Sequence, residues 1–343
     1  MRKKMLVGRA AMTMLAAGCI TFTAAAQQHL RTVQMTYHDN VGLWVLGQVA
    51  TQTINGIGVE SVGFDPGNAL PLTRSEFGRL TMSMSYNADG TLASSRDAAG
   101  NATGFENWKR GIPQKIVHAD GTSINAAVND QGLITQVTDE NGSTTSYGYD
   151  SMGRVSSITP PSADTVAWTP TTQAFEQVAV PEQGISGGHW RQTVTTGNAV
   201  KVTYFDALWR PLIVWDYDAA RVAETQTYSR FAYDSGGRTV FASYPSATPN
   251  PASGVWTGYD AVGRAISVAQ DSEQGLLITT TAYLADGAGP YTVVTEPGGQ
   301  QTRTWYQSFG TPAYDTPVRI QRPEGDVTSI NRDVFGKLLS IYR

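Results

Sequence analysis

The residues that first suggest chemistry are Tyr149-Asp150-x-x-Gly153-Arg154, where a carboxylate sits four positions from a guanidinium and directly after a phenol. In an enclosed site, an aspartate held beside an arginine could serve in acid–base catalysis, with the cation tuning the carboxylate. A second candidate is Gly184-Ile185-Ser186-Gly187-Gly188, which satisfies the G-x-S-x-G pattern of a nucleophile elbow at Ser186. That pattern requires a strand before the serine and a helix after it. Here His189-Trp190-Arg191-Gln192-Thr193-Val194 follows, which reads as a strand, and His189 is too close in sequence to act as a distant triad base. Ser186 is therefore read as a loop residue.

Other chemistry-bearing types are sparse. His29, His38, His118 and His189 show no metal-ligand spacing, and Cys19 is the sole cysteine, so no cofactor or metal site is expected. Asp216 and Asp218 fall short of the ligand count of a calcium loop. The Asp-Gly pairs at Asp89, Asp120 and Asp286 are turn chemistry.

The elements that must position these residues are repetitive. The glycines Gly90, Gly100, Gly111, Gly121, Gly132, Gly142 and Gly153 follow one another at alternating steps of 10 and 11. Most of them close a short polar turn, and the segments between are rich in β-formers, the pattern of an antiparallel meander. The Tyr-Asp-x-x-Gly-Arg unit returns as Tyr233, Asp234, Gly237 and Arg238, and again as Tyr259, Asp260, Gly263 and Arg264. Worn copies keep Phe205, Asp206 and Arg210 around Trp209, Tyr306 with Gly310, or Asp333 with Gly336 and Lys337. A catalytic pair is not copied and eroded in this way, whereas a turn is. In that reading the Asp caps the turn, the Gly adopts the left-handed conformation that closes it, and the flanking Tyr and Arg stack across the same hairpin for about 0.5–1 kcal/mol.

These copies resemble the YD repeat of RHS-repeat proteins, related to repeats in the shell subunits of bacterial ABC toxins and in animal teneurins. The resemblance extends over roughly residues 30 to 343. It implies a β-ribbon that spirals into a hollow shell, often around a C-terminal toxin. The closing core segment and cargo region of that plan are missing here, and the chain stops at Arg343 before the next turn is due. The expectation is a truncated shell segment, or one that a second, C-terminal polypeptide completes.

Composition agrees with a sheet built for export. Charged residues make up 16% of the chain, net charge is −4, and no basic block offers a footprint for nucleic acid. Arg2, Lys3, Lys4 and Arg9 precede the apolar stretch from Ala10 to Thr23 and the small residues Ala24-Ala25-Ala26, the pattern of a signal peptide over 1–26. Gly18-Cys19 offers a rival lipoprotein cleavage, and either route exports the chain. No later run is long enough to span a membrane as a helix.

The expected fold is therefore all-β: lead-in strands over 27–80, then a curved, spiralling antiparallel sheet over 81–343, with 159–190 as an irregular insertion decorating it. Apolar residues two and five positions after the turn glycine, such as Val155 and Ile158, would lie on opposite faces of a regular strand, so either a bulge intervenes or both faces are partly covered. The functional expectation is a non-enzymatic, exported shell enclosing or presenting a toxin or effector. The alternative is a cell-surface adhesion or glycan-binding protein that uses exposed aromatic rings.

Overall fold

A computed structural model describes residues 30–162 and 165–343. The signal segment, Cys19 and His29 lie outside the described residues. The remainder forms one 26-stranded sheet in which each strand pairs antiparallel with its neighbours in sequence. Two short helices, Val41–Leu43 and Val222–Thr225, interrupt it. Strands Val33–Asn40 to Arg79–Tyr86 belong to this same meander, which passes residue 80 without a break. Thr171–Val178 corrects the insertion expected at 159–190: it pairs with both Val155–Thr159 and His189–Thr196 and so lies inside the sheet.

In such a meander successive hairpins alternate between the two rims of the ribbon. One rim carries the turns opening at Asn87, Asn129, Asp150, Asp206, Asp234, Asp260 and Asp333; it is called the tyrosine rim here. The opposite rim carries those opening at Asp97, His118, Asp139, Glu296 and Arg322. All of them share one backbone pattern. At Asp150, for example, its N–H donates to Arg154 O at 2.9 Å and Gly153 N–H donates to Asp150 O at 3.0 Å. The backbone pattern persists where the first residue is His118 or Arg322, so the turn outlives loss of its aspartate.

The bulge explains the apolar offset. Tyr149 faces Val155, Gly148 faces Ser157 and Tyr147 faces Ile158, so the extra residue returns Val155 and Ile158 to one face. The same happens at Ile134 with Val137 and at Leu338 with Ile341. Most such shifts, at Tyr86, Ile134, Tyr149, Phe205, Tyr233, Tyr259, Tyr306 and Arg332, fall in hairpins of the tyrosine rim, while two near the start, at Thr53 and Ser75, fall on the opposite rim. A bulge bends its strand and raises local twist, so bulges concentrated on one rim curve the ribbon in one sense.

The curvature brings distant strands together. Phe77, on the opposite rim, meets Phe335 of the tyrosine rim edge-on with centroids 5.5 Å apart. Arg31, just before the first strand and also on the opposite rim, lies 4.7 Å above the Phe309 ring on the tyrosine rim. Both contacts join unlike rims, so the ribbon winds through a full turn as a spiral.

The most buried region lies midway. Val200, Val202, Tyr204, Ile213 and Tyr228 share one face, and the segment 179–188 folds back to set Ile185 against them. Ile213 is wholly buried. Gly187 is required in this strap because an added Cβ would sit 2.1 Å from Ala179 O.

Candidate functional site

The repeated residues converge on the tyrosine rim. At each intact copy the aspartate accepts the backbone N–H groups that sequence reasoning assigned to it: Asp150 Oδ1 takes Met152 N–H at 2.9 Å and Arg154 N–H at 3.0 Å. Its second oxygen takes Arg154 Nε–H at 2.7 Å. Asp206–Arg210, Asp234–Arg238 and Asp260–Arg264 repeat this pair at 2.6–2.7 Å. Gly153, Gly237 and Gly263 have φ of 77°, 81° and 90°, the left-handed region that closes the turn.

Those contacts set the protonation of the carboxylates. The Arg154 backbone N–H is the main reason Asp150 titrates below the ordinary aspartate value, and Arg238 does the same for Asp234. At Asp206 and Asp260 desolvation pushes upward, but hydrogen bonds from Arg210 and Arg264 outweigh it and the net shift is again downward. Each aspartate is therefore held as a firm anion, the reverse of what a general acid or base near neutrality requires.

One expectation needs correction. The arginine does not stack on the tyrosine of its own hairpin, because the bulge places Val155, not Arg154, opposite Tyr149. Each guanidinium instead covers an aromatic ring of the next rung, on the strand that pairs with its own. Arg154 lies 4.7 Å above Phe175, Arg210 4.6 Å above Tyr233, Arg238 4.8 Å above Tyr259 and Arg264 4.3 Å above Tyr283. The tyrosine reaches the other way. Tyr149 Oη donates to Ile134 O at 2.6 Å, Tyr233 to Pro211 O at 2.9 Å and Tyr259 to Thr239 O at 3.0 Å, each across to the previous rung. Each intact unit thus clasps one neighbour with its phenol and the other with its guanidinium.

Some members of this ladder were invisible in the motif. Trp108 Nε1 donates to Leu92 O at 3.0 Å and Arg332 Nε to Pro317 O at 2.9 Å, both in the tyrosine's role. Phe175 and Tyr283 receive arginines without belonging to a motif copy. The usable signal would have been position, since Trp108 is next to last and Arg332 last in a strand that runs into a tyrosine-rim turn.

Trp209 occupies the glycine position of its turn with φ 61°. A bulky residue there is strained by about 1–2 kcal/mol. Stacking on Trp190 at 5.0 Å and tilted contact with Phe205 at 5.9 Å offset that cost.

Ser186 is not part of a triad. His189 is buried, and its Nδ1 donates to the Ser186 backbone carbonyl at 2.8 Å rather than to the hydroxyl. Its other nitrogen lies 3.6 Å from Glu182, which Arg191 also grips at 2.7 Å while pairing with Glu176. This network fastens the strap to the sheet. His38 stacks on Phe64 at 4.9 Å and His118 lies 3.3 Å from Glu140. Asp216 lies 3.7 Å from Lys201, and Asp218 caps Ala220 N–H at 2.8 Å. No group of three metal-binding side chains occurs among the described residues, and no described helix is long and apolar enough to cross a membrane. A shallow cleft of about 310 Å³ lined by Arg230, Phe241, Asn250 and Trp256 contains no nucleophile beside a base.

The RHS Repeat family matches residues 128–165, so that stretch, which carries the Tyr149 turn, is an RHS repeat. No curated protein matches the chain. Similar solved structures include the crystal structure of TcdB2-TccC3-Cdc42, 12% identical over 91% of this chain and 20% of that one, with a TM-score of 0.33. TcdB2-TccC3 without its hypervariable C-terminal region is 10% identical over the same shares, also with a TM-score of 0.33. The Tc holotoxin pore of Photorhabdus luminescens is 10% identical over 90% of this chain and 23% of that one, with a TM-score of 0.22. The chain spans about a fifth of the first two.

Proposed function

We propose that this chain is a non-enzymatic structural segment of an exported RHS-repeat protein, whose curved ribbon encloses or presents a toxin or effector. The observation that carries this reading is the rung-to-rung clasp along the tyrosine rim. Its charged groups are spent within their own turns and on the rings of neighbouring rungs, as a wall requires and a catalytic centre does not. The RHS repeat at 128–165 and the winding of the ribbon support the same reading. Export would follow cleavage after Ala26, or lipidation at Cys19.

Expression of the full chain in a bacterial host that carries its neighbouring genes, followed by purification from the exported fraction, tests this directly. The expected result is a co-purifying polypeptide that resists added protease until the sheet is unfolded. A chain recovered alone, or a companion digested as fast as when free, would count against enclosure.

A second reading, recognition of cell-surface glycans, draws on Trp209, which is 48% exposed and stacked on Trp190. A glycan array separates the two. Binding abolished by Trp209→Ala would support recognition, and no binding at all would remove it.

A further inference from the structure

Each repeated turn curls its backbone N–H groups around a small concavity, a geometry that favours an anion. In all but two of these turns the chain fills it. The N–H of the turn's fifth residue goes to a side-chain oxygen of the turn itself, from Asp139, Asp150 or Asp333 at the first position, or from Asp120 in the turn that opens at His118. The turns opening at Asn87, Asp97, Asn129, Asp206, Asp234 and Asp260 do the same. The exceptions open at Glu296 and Arg322. Their backbone is unchanged, with Gly299 and Gly325 at φ 83° and 94°, yet among the described residues no side chain accepts the N–H of Gln300 or Asp326.

These two turns are neighbours. Gln301–Tyr306 leaves the first and pairs with Pro317–Gln321, which enters the second, setting Arg303 opposite Gln321. Together they border an open cleft of about 590 Å³ whose lining includes Gly298, Gln300, Arg303, Gln321 and Arg322. Among the described residues neither the Arg303 nor the Arg322 guanidinium has an ion pair, a hydrogen bond or a ring beneath it. Arg154, Arg238 and Arg264, by contrast, each hold both an aspartate and a ring. No carboxylate of the described residues lines the cleft: Glu296 is turned to the Thr279 hydroxyl, 3.5 Å away, and Glu324 and Asp326 stay outside.

We propose that this cleft binds a tetrahedral oxyanion of the phosphate or sulfate kind. The anion supplies the acceptor that a side chain supplies in the other turns, and two guanidinium groups match its charge and its oxygens. A solvated arginine on an open surface is ordinary. Here two of them coincide with the two turns whose concavity the chain leaves unfilled. The site lies on the rim opposite the tyrosines, and it stands whether or not the ribbon encloses a cargo.

Equilibrium dialysis of the full chain against radiolabelled inorganic phosphate, at fixed ionic strength, tests it beside two variants. Arg322→Asp removes a cation and introduces a capping carboxylate, so the chain fills its own concavity. Arg303→Gln removes the other cation and leaves the turns as they are. Both residues are exposed, and circular dichroism with urea unfolding checks that each variant keeps the fold. The expected result is saturable binding to the parent, weakened at least about tenfold by Arg303→Gln and abolished by Arg322→Asp. Sulfate should displace the label, and acetate, with its single carboxylate, should not. Displacement by methyl phosphate as strong as by the free ion marks an ester as the occupant, and displacement by the free ion alone marks the inorganic anion; either supports the site. No saturable binding, binding unchanged in both variants, or acetate as strong a competitor as sulfate overturns the proposal.

Discussion

At the scale of single residues, the aspartate and glycine of the repeated turn were legible in the sequence because their partners lie within four positions. Asp150 and Gly153 behave as local chemistry dictates, whatever surrounds them. The arginine was misassigned for the opposite reason: its ring comes from the next rung, more than twenty residues on in Arg238's case, and a one-residue bulge moves the tyrosine of its own hairpin out of reach. Arg238 makes the difference measurable. It binds Asp234 at 2.7 Å, donates to Asp260 O at 3.1 Å and covers Tyr259. A double-mutant cycle on Arg238→Ala and Tyr259→Ala, read by urea unfolding, should give a coupling of about 0.5–1 kcal/mol. The cycle with Tyr233, its own hairpin's tyrosine, should give about zero. Equal couplings would return the arginine to its own hairpin.

Turns and straps separate what sequence period reveals from what it hides. The turn glycines announced themselves by spacing, whereas the strap at 179–188 breaks the period, and its role depends on a face of the sheet assembled from strands further along. Two glycine substitutions contrast them. At Gly90, φ is 84° with open space around, so Gly90→Ala should cost about 1 kcal/mol of backbone strain and leave the strap closed. At Gly187 the new methyl would meet the Ala179 carbonyl, costing about 1–3 kcal/mol and lifting the strap. Limited proteolysis should then cut within 179–188 in Gly187→Ala and not in Gly90→Ala. Acid acts on the turns instead. Asp150 and Asp234 titrate lower in the folded chain than their ordinary value of 3.8, so the unfolded chain binds protons first as pH falls. Their contribution is full above that value and is lost as pH drops toward the lower folded values. The urea midpoint attributable to these turns should hold from neutrality down to about pH 5 and fall below about pH 4. Asp234→Asn should flatten that fall, and an unchanged slope would mean the anion contributes nothing there.

For the whole molecule, resemblance to an RHS repeat anticipated a spiral, but no residue pattern announced which strands would meet after one winding. That register accumulates from small bends at each bulge, most of them on the tyrosine rim, so it exists only once the sheet is built. It follows that the winding is imposed by the bulged ladder and not by the contacts between its ends. A single edge-on ring pair such as Phe77 and Phe335 is worth about 0.5–1.5 kcal/mol beyond burial, little beside the pairing of many strands. Each rung of such a ribbon leans mainly on its immediate neighbours, so loosening one end need not propagate. Phe77→Ala should therefore leave the urea midpoint of the buried region around Tyr204 and Ile213 unchanged. It should speed amide hydrogen exchange in the Asp333–Lys337 turn and widen the solution scattering profile slightly. Exchange that quickens evenly from Val200 to Tyr228 as well would show the opposite: closure of the winding, not the bulges, would then be holding the ribbon in its curve.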